Sequence, residues 1–271
     1  MADRKRSMSL PMLSFSVHGP AAAPPVVLLH ALASSSDLWL PQLPVWSARF
    51  RVVCIDLPGH GHSPLMPDAT TLADFAFEVR RVLDELGIPS AAFVGLSLGG
   101  MVAQAFALAY PERTKALVLA HTSARTDAAV KSLWASRLEQ ASQHGLPAQI
   151  PSILGRWFPA SFAAASPLTL QWIAGQIAAT RPQAYAAAIG AIQQLDHLDS
   201  LQHIRTEALV IAGELDMAAP AAAAALMAEK IQGARLVVLP GVAHLGNVQQ
   251  PLAFTEMVGD FLLHALASDI S

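Results

Sequence analysis

Residues 95–99 read Gly-Leu-Ser-Leu-Gly, a single serine held between two glycines. A hydroxyl is a weak nucleophile near neutral pH and needs a base to take its proton. It must also project from the backbone into a cleft. Gly-x-Ser-x-Gly does this on a strained turn from strand to helix, where the glycines let strand and helix approach closely. The context fits: the aliphatic run AAFVG at 91–95 leads in, and LGGMVAQAFALAYPER follows with good helix formers up to Pro111. A serine that merely caps a helix in a glycine-rich turn is the competing reading of Ser97.

A serine nucleophile of this kind requires an acid and a histidine later in the chain, in that order. After the run ALVIAG comes ELDMAAP, with Glu214 and Asp216; after ARLVVLP comes GVAHLGNVQQP, with His244. Loops that follow parallel strands converge on one edge of the sheet, so these side chains can meet there. His244 is expected to act as general base and then general acid, with Asp216 fixing its tautomer; Glu214 is the alternative acid. The chain has ten histidines. His60 and His62 in DLPGHGHS are expected to shape a loop, and His30 and His121 end strands near the site, with His121 placed among the substrate-binding residues. The developing oxyanion needs aimed N–H donors. Those expected are the backbone amides of Leu98, opening the helix after the nucleophile, and Leu32, in the loop after PVVLLH.

The elements that must carry these groups follow from periodicity. Short aliphatic runs at 25–30, 51–56, 91–95, 116–121, 207–213 and 234–241 suit strands buried on both faces. Between 72 and 86, Leu72, Phe75, Ala76, Val79, Val82, Leu83 and Leu86 share one helical face, with Thr71 as N-cap and Gly87 as stop. Strands alternating with helices predict an α/β fold, a mostly parallel sheet flanked by helices. The alternation lapses from about 123 to 205, a stretch rich in Ala, Gln and Trp. The expected organisation is a core of residues 1–122 and 206–271 carrying a helical cap over 123–205. Trp134 and Trp157 are expected to wall the pocket, and Arg125, Arg137 and Arg156 are candidate cations facing it. Other aromatics of the stretch pack its own core.

Composition narrows the partners. Apolar residues make up 53% of 271 and charged residues 14%, ample for a core, and the net charge is −3. That leaves no basic field for nucleic acid or an anionic membrane, so a small-molecule partner is expected and a homo-oligomer stays open. No charge occurs from Leu86 to Tyr110, but Gly95, Gly99 and Gly100 break the run and Pro89 and Pro111 bracket it. A buried strand, turn and helix explain it better than a membrane span. The one cysteine, Cys54, sits in a strand run and reads as a buried hydrophobe; no Cys/His cluster has zinc-site spacing. A cytoplasmic location suits it. The basic start, MADRKRSMSL, leads into a segment broken by Pro11, Ser14, Ser16 and His18, so it reads as a leader before a first short strand and not as a secretory signal.

The blocks VVLLHALASSSDLW, DLPGHGHS, GLSLGGMVAQ, AGELD and AHLGNVQQP resemble the α/β-hydrolase superfamily along nearly the whole chain. Within it, GLSLGGMVAQ…PERTKALVLAHTSAR, GRWFP and LPGVAHLGNVQQPLAF are most similar to 3-oxoadipate enol-lactonases. Ala31 stands where the superfamily commonly has glycine, and Pro58 where these lactonases often carry arginine. The resemblance implies a cofactor-free hydrolysis of a small lactone bearing a carboxylate, in bacterial aromatic breakdown by the β-ketoadipate pathway. It implies that Ser97 forms the acyl-enzyme and that a cation of the cap, Arg125, Arg137 or Arg156, meets the carboxylate. A general carboxylesterase, a carbon–carbon bond hydrolase, a perhydrolase and a non-enzymatic small-ligand receptor share the same pattern.

Overall fold

The aliphatic runs form one sheet in the computed structural model, which describes residues 11–267. Its strands are β1 (Phe15–His18), β2 (Pro25–Leu29), β3 (Arg51–Ile55), β4 (Ala91–Leu96), β5 (Thr114–Ala120), β6 (Glu207–Gly213) and β7 (Arg235–Leu239). They lie in the order β1-β3-β2-β4-β5-β6-β7. Only β1 runs antiparallel, against β3; the other pairings are parallel. Residues 1–10, which carry the basic start read as a leader, lie outside the described residues.

Six parallel strands need crossovers, and the helices supply them. α1 (Leu43–Trp46) is a single turn before β3. α2 (Leu72–Glu85) joins β3 to β4, and α3 (Leu98–Ala109) joins β4 to β5. α2 begins with a capping box between Thr71 and Asp74 and buries Leu72, Phe75, Ala76, Val79, Val82 and Leu83 on one face. Gly87, at φ +62°, ends it. α3 is buried nearly all round, from Leu98 to Ala107, which explains the uncharged stretch. Among the described residues no helix is long and apolar enough to cross a membrane. Cys54 is buried in β3, where burial pushes its thiol up to about 12, so it is no nucleophile.

Between β5 and β6 the chain runs through α4 (Ala128–His144), α5 (Ile150–Trp157), α6 (Ala160–Ala165), α7 (Pro167–Ala179) and α8 (Pro182–Gln193). The two ends of this helical insertion are stitched together. Thr126 N–H donates to Leu195 O and His197 N–H to Ala124 O. α9 (Ala221–Lys230) joins β6 to β7, and α10 (Gly246–Gln249) and α11 (Pro251–Ala265) complete the chain. α11 closes one end of the core through Phe254, which packs its ring on Trp39 and Trp46.

Register decides where chemistry collects. Leu29 pairs with Gly95, and Leu96 with Ala120, so β2, β4 and β5 end in one row. Gly213 pairs with Leu239, which aligns the ends of β6 and β7. The chain leaves β2 toward β3 on one side and β4 toward β5 on the other, so a topological switch point, where ligands of such sheets bind, lies between β2 and β4.

The loop after β3 braces this row. Asp56 accepts the N–H groups of Ser36 and His62, at 2.7 and 2.9 Å. Burial alone would raise its carboxyl, but these amides outweigh it and hold it below the ordinary range. His60 and His30 are fully buried with ring centroids 5.3 Å apart. Burial drives His60 down to about 3 from 6.5, so the folded chain refuses a proton that the unfolded chain accepts. Stability present above pH 6.5 should therefore drain away between pH 6.5 and 3, by up to a few kcal/mol from this residue. Melting temperatures across that range check it: His60→Gln should give a flatter profile than the native chain.

Candidate active site

Ser97 sits where β4 turns into α3, with φ +56° and ψ −115°, outside the conformations that side chains favour. The flanking glycines make this turn sterically feasible. A Cβ on Gly95 would run into the Gly99 carbonyl, and one on Gly99 into the Leu29 carbonyl. Ser97 donates its N–H to Ala120 O at 2.9 Å, and its carbonyl accepts the Thr122 hydroxyl at 2.7 Å. The backbone of Ser97 is thereby tied at both its N–H and its carbonyl to β5 and the loop that follows it.

His244, in the loop after β7, reaches Ser97 with Nε2 at 2.9 Å from Oγ. Its Nδ1–H donates to Asp216, at 3.0 Å from Oδ1 and 2.9 Å from Oδ2. Asp216 is itself fixed by the N–H groups of Ala218 and Ala219, at 2.8 and 2.9 Å from Oδ1. Burial would raise its carboxyl, yet the charge of His244 and N–H donation from His121 and His244 hold it well below the usual carboxylate range. It is thus an anion that orients the imidazole with Nε2 free to accept a proton. Glu214 turns away and accepts the N–H of Gly241 at 2.8 Å, closing its own loop.

The loop after β2 carries Leu32 against the cavity. His30 holds that loop. Its Nε2 accepts Leu57 N–H at 2.9 Å, so the ring proton is on Nδ1, which donates to Ala31 O at 2.7 Å. Ala33 follows at φ +58°. Among the described residues the N–H groups of Leu32 and Leu98 have no acceptor, and Leu98 is the first residue of α3, where the helix dipole favours negative charge. Two free amides beside a hydroxyl can hold an oxyanion.

A cavity of about 60 Å³ opens over Ser97 and His244. The insertion supplies its outer wall through Trp134, Arg137, Arg156, Trp157 and Tyr185. Trp157 closes on the site itself: its carbonyl accepts the His244 N–H at 3.2 Å. Arg137 lies over the Trp134 ring at 4.6 Å, and Arg156 donates to Ser152 Oγ at 2.5 Å. Neither has a carboxylate partner among the described residues. Burial lowers both guanidiniums, and Arg156 lowers Arg137 further.

Two expectations for the wall are corrected. Arg125 does not line the cavity: it is exposed and pairs with Asp196 at 2.7 Å and Asp199 at 2.6 Å, at the neck of the insertion. Its position three residues before the first insertion helix places it opposite the returning chain, bridged to Asp196, where carboxylates satisfy it. His121 does not line the cavity either; its ring is buried behind Asp216. Tyr185 and Ile192 line the wall from α8, far along the chain from Ser97, with no local pattern to announce them.

The chain matches the model of the alpha/beta hydrolase fold over residues 24–251. It is 30% identical to 3-oxoadipate enol-lactonase 2 of Acinetobacter baylyi, covering 91% of each chain. Among solved structures it is similar to an enol-lactonase of Burkholderia xenovorans LB400, at 33% identity and TM-score 0.88, covering 92% of this chain and 96% of that one. It is also similar to a thermophilic esterase of Thermogutta terrifontis, solved with malate bound, at 28% identity and TM-score 0.87, covering 93% of each. A family match across most of its length, on a sheet whose strand ends bring a hydroxyl, an imidazole and a carboxylate into one hydrogen-bonded row, makes this chain a member of the alpha/beta hydrolase fold family, and a hydrolase.

Proposed function

We propose that the protein is a serine hydrolase of small esters or lactones that carry a carboxylate, with 3-oxoadipate enol-lactone as its substrate class, in cytoplasmic aromatic breakdown. Ser97 attacks the carbonyl as His244 Nε2 takes its proton, and the Leu98 and Leu32 amides hold the oxyanion. His244 then gives that proton to the leaving oxygen, which in a lactone stays tethered to the acyl chain. Water, deprotonated by His244, attacks the ester carbonyl, and the tetrahedral adduct collapses to the free acid as His244 returns that proton to the departing Ser97 Oγ. The helical insertion acts as a lid, and the small cavity suits a compact substrate.

The observation that carries the substrate class is two half-buried guanidiniums without carboxylate partners in the cavity of Ser97. Burying unpaired charge is costly, and an incoming anion relieves it. The enol-lactonase relatives and the malate in the Thermogutta esterase support an anionic ligand. The test compares kcat/KM for enol-lactone and p-nitrophenyl acetate. Enol-lactone should lead by about 100-fold. Arg137→Gln and Arg156→Gln should each cost it about 10-fold to 100-fold, chiefly in KM, and leave the neutral ester within a few-fold. Equal specificity for both substrates would support a second reading, a general carboxylesterase, which the apolar wall of Trp134, Trp157 and Ile192 also suits.

A further inference from the structure

Among the described residues three non-glycine residues have positive φ: Ala33, Ser97 and His121. Two of them are accounted for, in the oxyanion loop and at the nucleophile. His121, at φ +50°, is the third, and such backbone costs about 1–3 kcal/mol unless its surroundings enforce it. What the turn achieves is to place a fully buried ring beneath Asp216, its Nδ1 3.3 Å from Oδ2. The position of the proton follows from the neighbours. A bare Nδ1 would set its lone pair against a carboxylate, so Nδ1 carries the hydrogen and donates. Nε2 is buried without a partner and abuts Gly246, where a Cβ would collide with it. Protonation at Nε2 would bury an N–H with no acceptor.

Resting on the triad reading above, we infer that His121 is a positioning residue: its N–H clamps the Asp216 carboxylate and takes up part of its charge, tuning how strongly Asp216 favours protonated His244. Oδ1 is pinned by Ala218 and Ala219 and shares His244 Nδ1 at 3.0 Å, whereas among the described residues Oδ2 faces the two imidazoles alone. Remove one, and Oδ2 acts undivided on the other. The groups facing His121 are few. Asp216 comes from the loop after β6 and His244 from the loop after β7, its ring centroid 6.2 Å away. Ile211 of β6 contributes a carbonyl that accepts the His121 N–H, and α10 contributes Gly246, neither of them titratable. Burial lowers the His121 imidazole, against the opposing effect of Asp216, so it stays a neutral donor as the pH falls.

The experiment is the pH profile of kcat/KM for p-nitrophenyl acetate in the full chain and three variants. His121→Leu and His121→Gly both remove the donor; glycine carries no penalty at positive φ, so it serves even where leucine does not fold. His121→Asn puts an amide nitrogen where Nδ1 stands and tolerates the left-handed backbone. An undivided Asp216 charge favours protonated His244, so the Leu and Gly variants should move the acid limb to higher pH by about 0.5 unit or more and lower kcat by ~10-fold. The Asn variant should leave the limb in place and stay within about 3-fold of the native rate. A limb unmoved in Leu and Gly, or moved equally in Asn, overturns the role of His121. Where the native chain hydrolyses the ester and Ser97→Ala does not, that failure falls on His121 alone; an inert native chain overturns both readings.

Discussion

Ser97→Ala should lower kcat for p-nitrophenyl acetate by at least ~10⁴-fold with KM little changed, in a chain that remains folded. In the proposed mechanism the hydroxyl oxygen forms the acyl bond, and among the described residues its one side-chain hydrogen bond is to His244 Nε2 at 2.9 Å. Among the described residues no second hydroxyl hydrogen-bonds that imidazole, and the cavity wall is expected to contribute binding that alanine leaves intact. The residual rate measures what the oxyanion amides and the wall do without a nucleophile. The same position tests the strain. Ser97 holds φ +56° and ψ −115°, a region that glycine enters freely. Ser97→Gly should therefore be as inactive as the alanine variant yet melt higher, by roughly 2–4 °C for about 1 kcal/mol of relieved strain. Retained esterase activity in the alanine variant, free of wild-type contamination, would remove Ser97 from the mechanism.

Asp216→Asn should cost about 10⁴-fold in kcat, although it changes a single atom. The local hydrogen bonds leave the new amide only one orientation. Oδ1 accepts two backbone N–H groups, from Ala218 and Ala219, so the amide oxygen must stay there. The NH₂ then occupies the place of Oδ2, facing Nδ1 of both His244 and His121. His244 Nδ1, also 3.0 Å from Oδ1, would have to share that oxygen with the two backbone amides to keep its proton; it accepts the NH₂ only by moving that proton to Nε2, which turns the base into a donor toward Ser97. The loss should fall on kcat, with the neutral and anionic substrates affected alike. A variant within 10-fold of the native rate would show that Asp216 is a structural carboxylate and that His244 is oriented by other contacts.

What could be read from residues alone is what short-range physics fixes. Continuous aliphatic runs bounded by turn residues suit buried strands, and their alternation with amphipathic stretches such as 72–86 suits a parallel sheet; the run at 234–241 departs from this, because β7 lies at the sheet edge with Leu236 and Val238 exposed. The glycines around Ser97 mark a turn too tight for side chains, and the order Ser97, Asp216, His244 after successive strands names the three groups that parallel topology aligns. The backbone roles proposed for Leu32 and Leu98 rest on the same geometry. Tertiary structure decided the rest, because it depends on which side chain finds a partner. Arg125, Arg137 and Arg156 are alike as cations in one helical stretch. Packing gave Arg125 two carboxylates at the neck and left the other two against the cavity. His121 ends its strand beside the site either way; in the folded chain its backbone turns through φ +50° and its ring lies behind Asp216, outside the cavity wall. A rotation of that kind carries no periodicity and no composition, and it is settled only when the neighbouring loops have closed around it.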